Sequence, residues 1–175
     1  MLVALLIIFL YVAIRFKKWQ WGLGGVSSLF HDSLIALSLY GVFHGLVPFT
    51  LEVDQSMIAA ILTIIGFSVN DTVIIFDRIR EYTGLYPKRD MRTNINDAIN
   101  HTLGRTINTS GTVLVVILAM LIFGGEIIRG MNFVLFIGLL VGTYSSVFNA
   151  TPVAYDLIMW RQKVSARKKE KELKK

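Results

Sequence analysis

Cysteine is absent from all 175 residues, which excludes a disulfide framework, thiolate-ligated zinc, an iron–sulfur cluster and a thiol nucleophile. Charge is scarce as well. Asp, Glu, Lys and Arg make up 17% of the chain, against roughly 25% in an ordinary soluble domain. Hydrophobic residues make up 54% and gather into long runs, so the main solvent of this chain is lipid rather than water. The three His residues show no metal-ligand spacing, and Gly22-Leu23-Gly24-Gly25 is not a dinucleotide fingerprint. No nucleophile–base–acid set and no phosphate loop occurs. Neither an enzyme nor a bound cofactor is therefore expected. The net charge of +6 does not point to nucleic acid, because 8 of the 18 Lys and Arg residues follow Trp160. A basic tail at 161–175, beside anionic lipid headgroups, explains that cluster more simply.

Five apolar segments are present, at about 1–14, 22–46, 57–76, 107–123 and 131–159, here called spans A to E. The fold class they predict is all-α: a polytopic membrane helix bundle of five transmembrane helices filling 1–160. The one long connection, 77–106, reads as a cytoplasmic loop, with a short interfacial helix in its second half. There Met91, Ile95, Ala98, Thr102 and Leu103 approximate one helix face. Lys and Arg divide very unevenly between alternate connections, seventeen on one side and only Arg129 on the other. The positive-inside rule then places the tail and the long loop in the cytoplasm. Span A offers about 14 apolar residues, roughly 21 Å of helix against a hydrocarbon core of about 30 Å. Its positive charges follow the apolar run instead of preceding it, unlike a signal peptide. The expectation is that further sequence precedes Met1 on the outer side.

The informative residues are those that lipid should reject. An Asp at the middle of a span costs about 2.5–3.5 kcal/mol on insertion scales, so it faces a protein interior or a wet cavity and marks an ion or proton path. Asp71 is the leading case, about 8 Å inside the inner end of span C. Its neighbours Asn70 and Thr72 have side chains able to hydrogen-bond a carboxyl group. The bland alternative is an Asp that snorkels to the surface or pairs statically with Arg. In span D, Arg105, Asn108, Thr109 and Thr112 fall at i, i+3, i+4 and i+7, a polar stripe that should face protein. Arg105 either reaches inward as the counter-charge of Asp71 or simply anchors the helix end. His31 and Asp32 sit about ten residues into span B. They are a proton shuttle or a fixed interhelical hydrogen bond, but, as neighbours about 100° apart on a helix, not a dyad with each other. Gly138, Gly142 and Ser146 in span E have the small-xxx-small spacing of close helix packing.

The run Gly66-Phe67-Ser68-Val69-Asn70-Asp71-Thr72-Val73-Ile74-Ile75-Phe76-Asp77-Arg78-Ile79-Arg80-Glu81 closely resembles the signature stretch of the SecF family of bacterial protein-export components. Other segments support the likeness in the family's order. They are Arg15-Phe16-Lys17 with His31-Asp32, then Asn96-Asp97-Ala98-Ile99-Asn100-His101, Gly104-Arg105-Thr106-Ile107-Asn108-Thr109-Ser110, Phe123-Gly124-Gly125-Glu126 and Gly142-Thr143-Tyr144-Ser145-Ser146.

The resemblance implies half of a resistance-nodulation-division bundle in the bacterial inner membrane, with its carboxy terminus cytoplasmic. That bundle couples proton passage to late preprotein translocation. Spans A to E would then be the second to sixth helices of a six-helix member, without its first helix and exported domain. By motif position the proton relay maps to Asp71 and Arg105. Asp77, Arg78, Arg80 and Glu81 belong to the signature. The implied partners are SecD or the SecD half of a fused chain, the Sec channel with its insertase components, the preprotein and membrane lipids, and no nucleic acid. The implied coupling ion is H⁺. The competing readings are a drug or lipid exporter of the same superfamily and a structural translocon subunit that moves no protons.

Overall fold

A computed structural model of the chain describes residues 2–49, 51 and 54–173. Among them every regular element is helical: α1 (Leu2–Phe16), α2 (Trp19–Phe43), α3 (Gln55–Leu85), α4 (Met91–Phe123), α5 (Glu126–Ser145) and α6 (Thr151–Leu173). The expected all-α membrane bundle is what forms. Four stretches are long and apolar enough to cross a membrane, namely α2, α3, α4 and the continuous run from Glu126 to Glu172, and α1 is a shorter apolar helix. Each break has a local cause. Lys17 adopts φ 55, a left-handed conformation that turns the chain at once from α1 into α2. Asp54 caps α3 by accepting from the Met57 amide at 3.0 Å, and that bond holds its carboxyl below the usual carboxylate range. Between α5 and α6 the helix widens into a π-helical turn, Ser146–Ala150. Pro152 stands just beyond it, with no N–H to give and a ring that crowds the preceding turn, and the widened turn accommodates both.

Helix ends depart from the apolar runs. The segment 77–106 is not an extended loop: α3 continues to Leu85, α4 starts at Met91, and only the short link around Pro87 is irregular. The expected interfacial helix is the first part of α4 itself. Charged residues read as loop in a hydropathy pattern, yet they are stable on a helix that has left the bilayer when they pair along it. Arg78 pairs with Glu81 on one turn of α3, and Arg89 of the link pairs with Asp97 of α4 at 3.1 Å. Span E likewise starts earlier, at Glu126, and the tail is helical through Leu173. Met1, Lys174 and Lys175 lie outside the described residues.

Of three apolar clusters, a small one of Leu5, Leu29 and Ile65 lies along the middle and two larger ones sit at opposite ends of the bundle. At the basic end Val12, Phe16, Trp21, Phe76, Ile79, Ala150 and Ala154 pack together, with Trp21 and Phe76 ring centroids 4.7 Å apart. At the other end lie Tyr40, Leu51, Met57, Ala60, Ile64 and Val134. Lipid is as apolar as these side chains, so burial alone does not hold the helices together, and close van der Waals fit must. Gly24 shows how close that fit is. A Cβ there would lie 2.7 Å from the Ala150 carbonyl oxygen and 2.8 Å from Ala154 Cβ, and neither can swing away. Gly138 is equally tight against Ile64, and Gly142 faces Ser68, as the small-xxx-small spacing predicts. Gly24→Ala should therefore cost about 1–3 kcal/mol of overpacking. Gly41→Ala, with nothing within 4 Å, should cost none. A thermal melt of the complete protein checks this: equal melting temperatures for the two variants would contradict the packing described.

A candidate proton site between the apolar clusters

Between the two end clusters, beside Leu29 and Ile65, lies a layer of buried polar side chains. The spacing of Ser68, Asp71 and Thr72 at i, i+3 and i+4 puts all three on the inward face of α3, and all are buried. Each meets a different helix. Ser68 Oγ donates to Asp32 Oδ2 of α2 at 2.8 Å. Ser110 Oγ of α4 donates to Asp71 Oδ2 at 3.3 Å. Thr72 Oγ1 donates to Ser146 Oγ at 3.2 Å, and Ser146 in turn donates to the Gly142 carbonyl at 2.9 Å. Asp32 and Asp71 are 0% and 2% exposed, so the layer contains two carboxylates withdrawn from the surroundings of the chain.

Several expectations change here. Neither Asn70 nor Thr72 bonds Asp71: Thr72 points to Ser146, and Asn70 is exposed. The partner of Asp71 is Ser110, which the sequence reading passed over. Its signal was the line Asn94, Ala98, Thr102, Thr106, Ser110 at steps of four, which is the buried edge of α4. Arg105 lies next to that line, about 100° around the helix, and is exposed. It makes no ion pair within 4 Å among the described residues, so its charge acts on Asp71 through space and not by direct contact. Asn108, Thr109 and Thr112 are exposed with it, so the stripe faces away from this bundle instead of into it. His31 and Asp32 do meet, contrary to the helix-angle argument. The imidazole Nδ1 lies 3.2 Å from Asp32 Oδ1, because the ring folds back across one residue while its far side stays 38% exposed.

The remaining signature residues gather at the basic end. Asp77 pairs with Arg15 at 3.1 Å, tying α1 to α3. Arg78 contacts Glu81, lies 2.7 Å from His101 Nε2 and covers the Tyr82 ring, tying α3 to α4. Arg80 is exposed. These contacts fix the depth of α3, and so the depth at which Asp71 sits.

Comparison with known proteins places the chain in a family. The profile of the family described as "Protein export membrane protein SecD/SecF, C-terminal" matches residues 1–160. A protein translocase subunit SecF from Rhodothermus marinus is 51% identical over 166 residues, covering 95% of this chain and 53% of that protein. The chain belongs to the SecF family. A SecF subunit from Haemophilus influenzae is 40% identical over 172 residues, which is 98% of this chain and 51% of that one. A crystal structure of SecDF in its super-membrane-facing form superposes with a TM-score of 0.84 at 37% identity, covering 97% of this chain and 22% of that one. The chain thus spans about half the length of the curated SecF relatives it matches.

Proposed function

We propose that this SecF-family chain forms one half of a proton path that drives the late, gradient-dependent stage of preprotein export, with Asp71 as the group that takes up and releases the proton. The observation that carries the reading is Asp71 itself. It is 2% exposed between two apolar clusters and is served by a single hydroxyl at 3.3 Å. An ionised carboxylate accepts about four hydrogen bonds. One donor suits a neutral carboxyl, and the ionised form needs a cation such as Arg105 brought closer. A group that changes charge at this depth can couple a falling proton to a movement, since each proton crossing 100 mV releases about 2.3 kcal/mol. His31, Asp32 and Ser68 form a second polar chain beside it, and their role is to hold α2 to α3 around the path.

The partner is read from the outward stripe. Asn108, Thr109 and Thr112 on α4, with Asn70 on α3, are exposed near the depth of Asp71 and Ser110, and Arg105 is exposed one turn nearer the basic end; lipid would leave the two amides without partners. A second helix bundle covers them, and SecD or the SecD half of a fused chain is that bundle. Arg105 then lies between the two halves and approaches Asp71 when they shift. The coupling ion is H⁺, the membrane is the bacterial inner membrane, and the Sec channel with its insertase components passes the preprotein to the complex.

Gradient-dependent export from inverted membrane vesicles, with and without a protonophore, tests the assignment. Orientation has its own test. Cys introduced at Asp54 or Glu126 should react with impermeant reagents from outside the cell, and Cys at Arg89 or Arg167 should not. Labelling at Arg89 from outside would reverse the arrangement.

A further inference from the structure

A proton held by Asp71 needs a way out of the bundle, and a cavity begins beside it. About 390 Å³ in volume, the cavity lies between α3 and α4 toward the basic end, lined by Ile74, Asp77, Arg78 and Glu81 of α3 and by His101 and Arg105 of α4. Ile74 is three residues along α3 from Asp71, so the near end of the cavity is only about 4.5 Å from that residue along the helix axis. Arg105, on the facing wall, acts on Asp71 through space. In the other direction α3 carries Ile64 and Ala60, each 1% exposed in the far apolar cluster. Access to Asp71 within this chain therefore runs toward the basic end. At about 30 Å³ for each water, a polar cavity of this size holds several.

The groups on its walls are not equally able to carry a proton. Asp77 is paired with Arg15 and Glu81 with Arg78, while Asp97, one turn back from His101 on α4, is paired with Arg89. The two guanidiniums on the walls, Arg78 and Arg105, stay charged and accept nothing. His101 remains. Its Nε2 lies 2.7 Å from Arg78 Nη2, and since a guanidinium can only donate, Nε2 is the acceptor and the ring is neutral with its hydrogen on Nδ1. The ring also stands edge-on to Tyr82 and is exposed, so it meets both the cavity and the surroundings of the basic end. Arg78 has Glu81 and the Tyr82 ring to hold it when it leaves the imidazole.

We propose that this cavity is the cytoplasmic exit of the proton path and that His101 carries the proton through it, an inference that rests on the reading of Asp71 as the proton-binding group. Asp71 releases a proton to cavity water and becomes a carboxylate. Nε2 of His101 takes up a proton from that water as Arg78 turns to Glu81, and the imidazolium passes a proton to cytoplasmic water and accepts from Arg78 again. One proton crosses, and no electron is transferred. Arg78 acts as a latch, because it binds the neutral ring and is repelled by the charged one.

Inverted membrane vesicles holding the complete export complex, with the cytoplasmic face outward, test it. Gradient-dependent export is measured at a constant imposed gradient while the external pH is varied. A positioned proton carrier speeds transfer by about 10²–10⁴-fold, and cavity water takes part of the load, so His101→Gln should slow gradient-dependent export by about tenfold and leave the ATP-driven rate unchanged. Glutamine can still accept from Arg78 but cannot titrate, which separates a relay from a packing contact. The wild-type rate should fall as the external pH drops from about 8 to 5, the range in which imidazole titrates, because a ring already charged cannot take up a proton. The His101→Gln rate should be low and flat over that range. Asp71→Asn should ignore the gradient at every pH. A His101→Gln complex with the wild-type rate and pH profile, beside an inactive Asp71→Asn, would overturn the exit through His101 and leave Asp71 in place. A loss in His101→Gln that extends to the ATP-driven rate would make the residue a structural contact and overturn the proposal too. Gradient-driven export in Asp71→Asn would instead overturn the reading on which the proposal rests.

Discussion

Asp71→Asn in the complete export complex is expected to abolish the gradient-dependent part of preprotein export and to leave the ATP-driven part intact. The substitution keeps the shape of the side chain, and Ser110 can still donate to the amide oxygen, so the layer around residue 71 should assemble unchanged. What disappears is the change of charge. A potential of 100 mV supplies about 2.3 kcal/mol per proton, and none of it biases a movement if no buried group titrates. Asp71→Glu keeps the carboxyl but displaces it by one methylene from Ser110, and should retain part of the activity. Export rates measured in vesicles with and without a protonophore separate the two contributions. The prediction is that Asp71→Asn equals wild type with the protonophore present. A protonophore-sensitive rate in Asp71→Asn would remove Asp71 from the path.

Arg105→Ala should have the second-largest effect, and it should act between bundles. Arg105 is exposed on α4 with no ion pair within 4 Å among the described residues, so its charge acts on Asp71 through space and gains most when a second bundle covers the stripe. Removing one member of a desolvated charge pair costs about 3–5 kcal/mol, more than a hundredfold in an equilibrium. Asn108→Ala removes one interhelical amide contact, worth about 0.6 kcal/mol in membrane bundles, and should lower export less than threefold. Arg105→Lys should be poorly tolerated, because an ammonium lacks the planar fork that holds a carboxylate at two points. Export together with co-purification of the partner distinguishes loss of coupling from loss of assembly. Normal gradient-dependent export in Arg105→Ala would make Arg105 an anchor only.

The apolar runs were legible because lipid imposes one requirement on every spanning residue, and α2, α3, α4 and α5 appear where those runs lie. The helix ends were not, because outside the bilayer a helix is held by pairs such as Arg78–Glu81 and Arg89–Asp97, and hydropathy sees only their charge. Asp71 stood out as a carboxylate in the wrong solvent. Ser110, its actual hydrogen-bond partner, did not, since a serine in a membrane helix commonly satisfies its own turn, as Ser33 does by donating to Leu29. The stripe through Arg105 was legible as polar, but polarity along a helix marks a protein-facing side without saying which protein. Its burial against this bundle was the natural reading. The structure turns it outward, because the small residues at 94, 98, 102, 106 and 110 take the inner face.

The protonation of Asp71 is tested most directly by infrared difference spectroscopy of the complete complex on imposing a proton gradient. A carboxyl carbonyl band should appear or disappear with the gradient, shift on deuterium exchange and be missing from the Asp71→Asn spectrum. An Asp71→Asn spectrum that keeps the gradient-dependent band would contradict the assignment of this residue as the group that carries the proton.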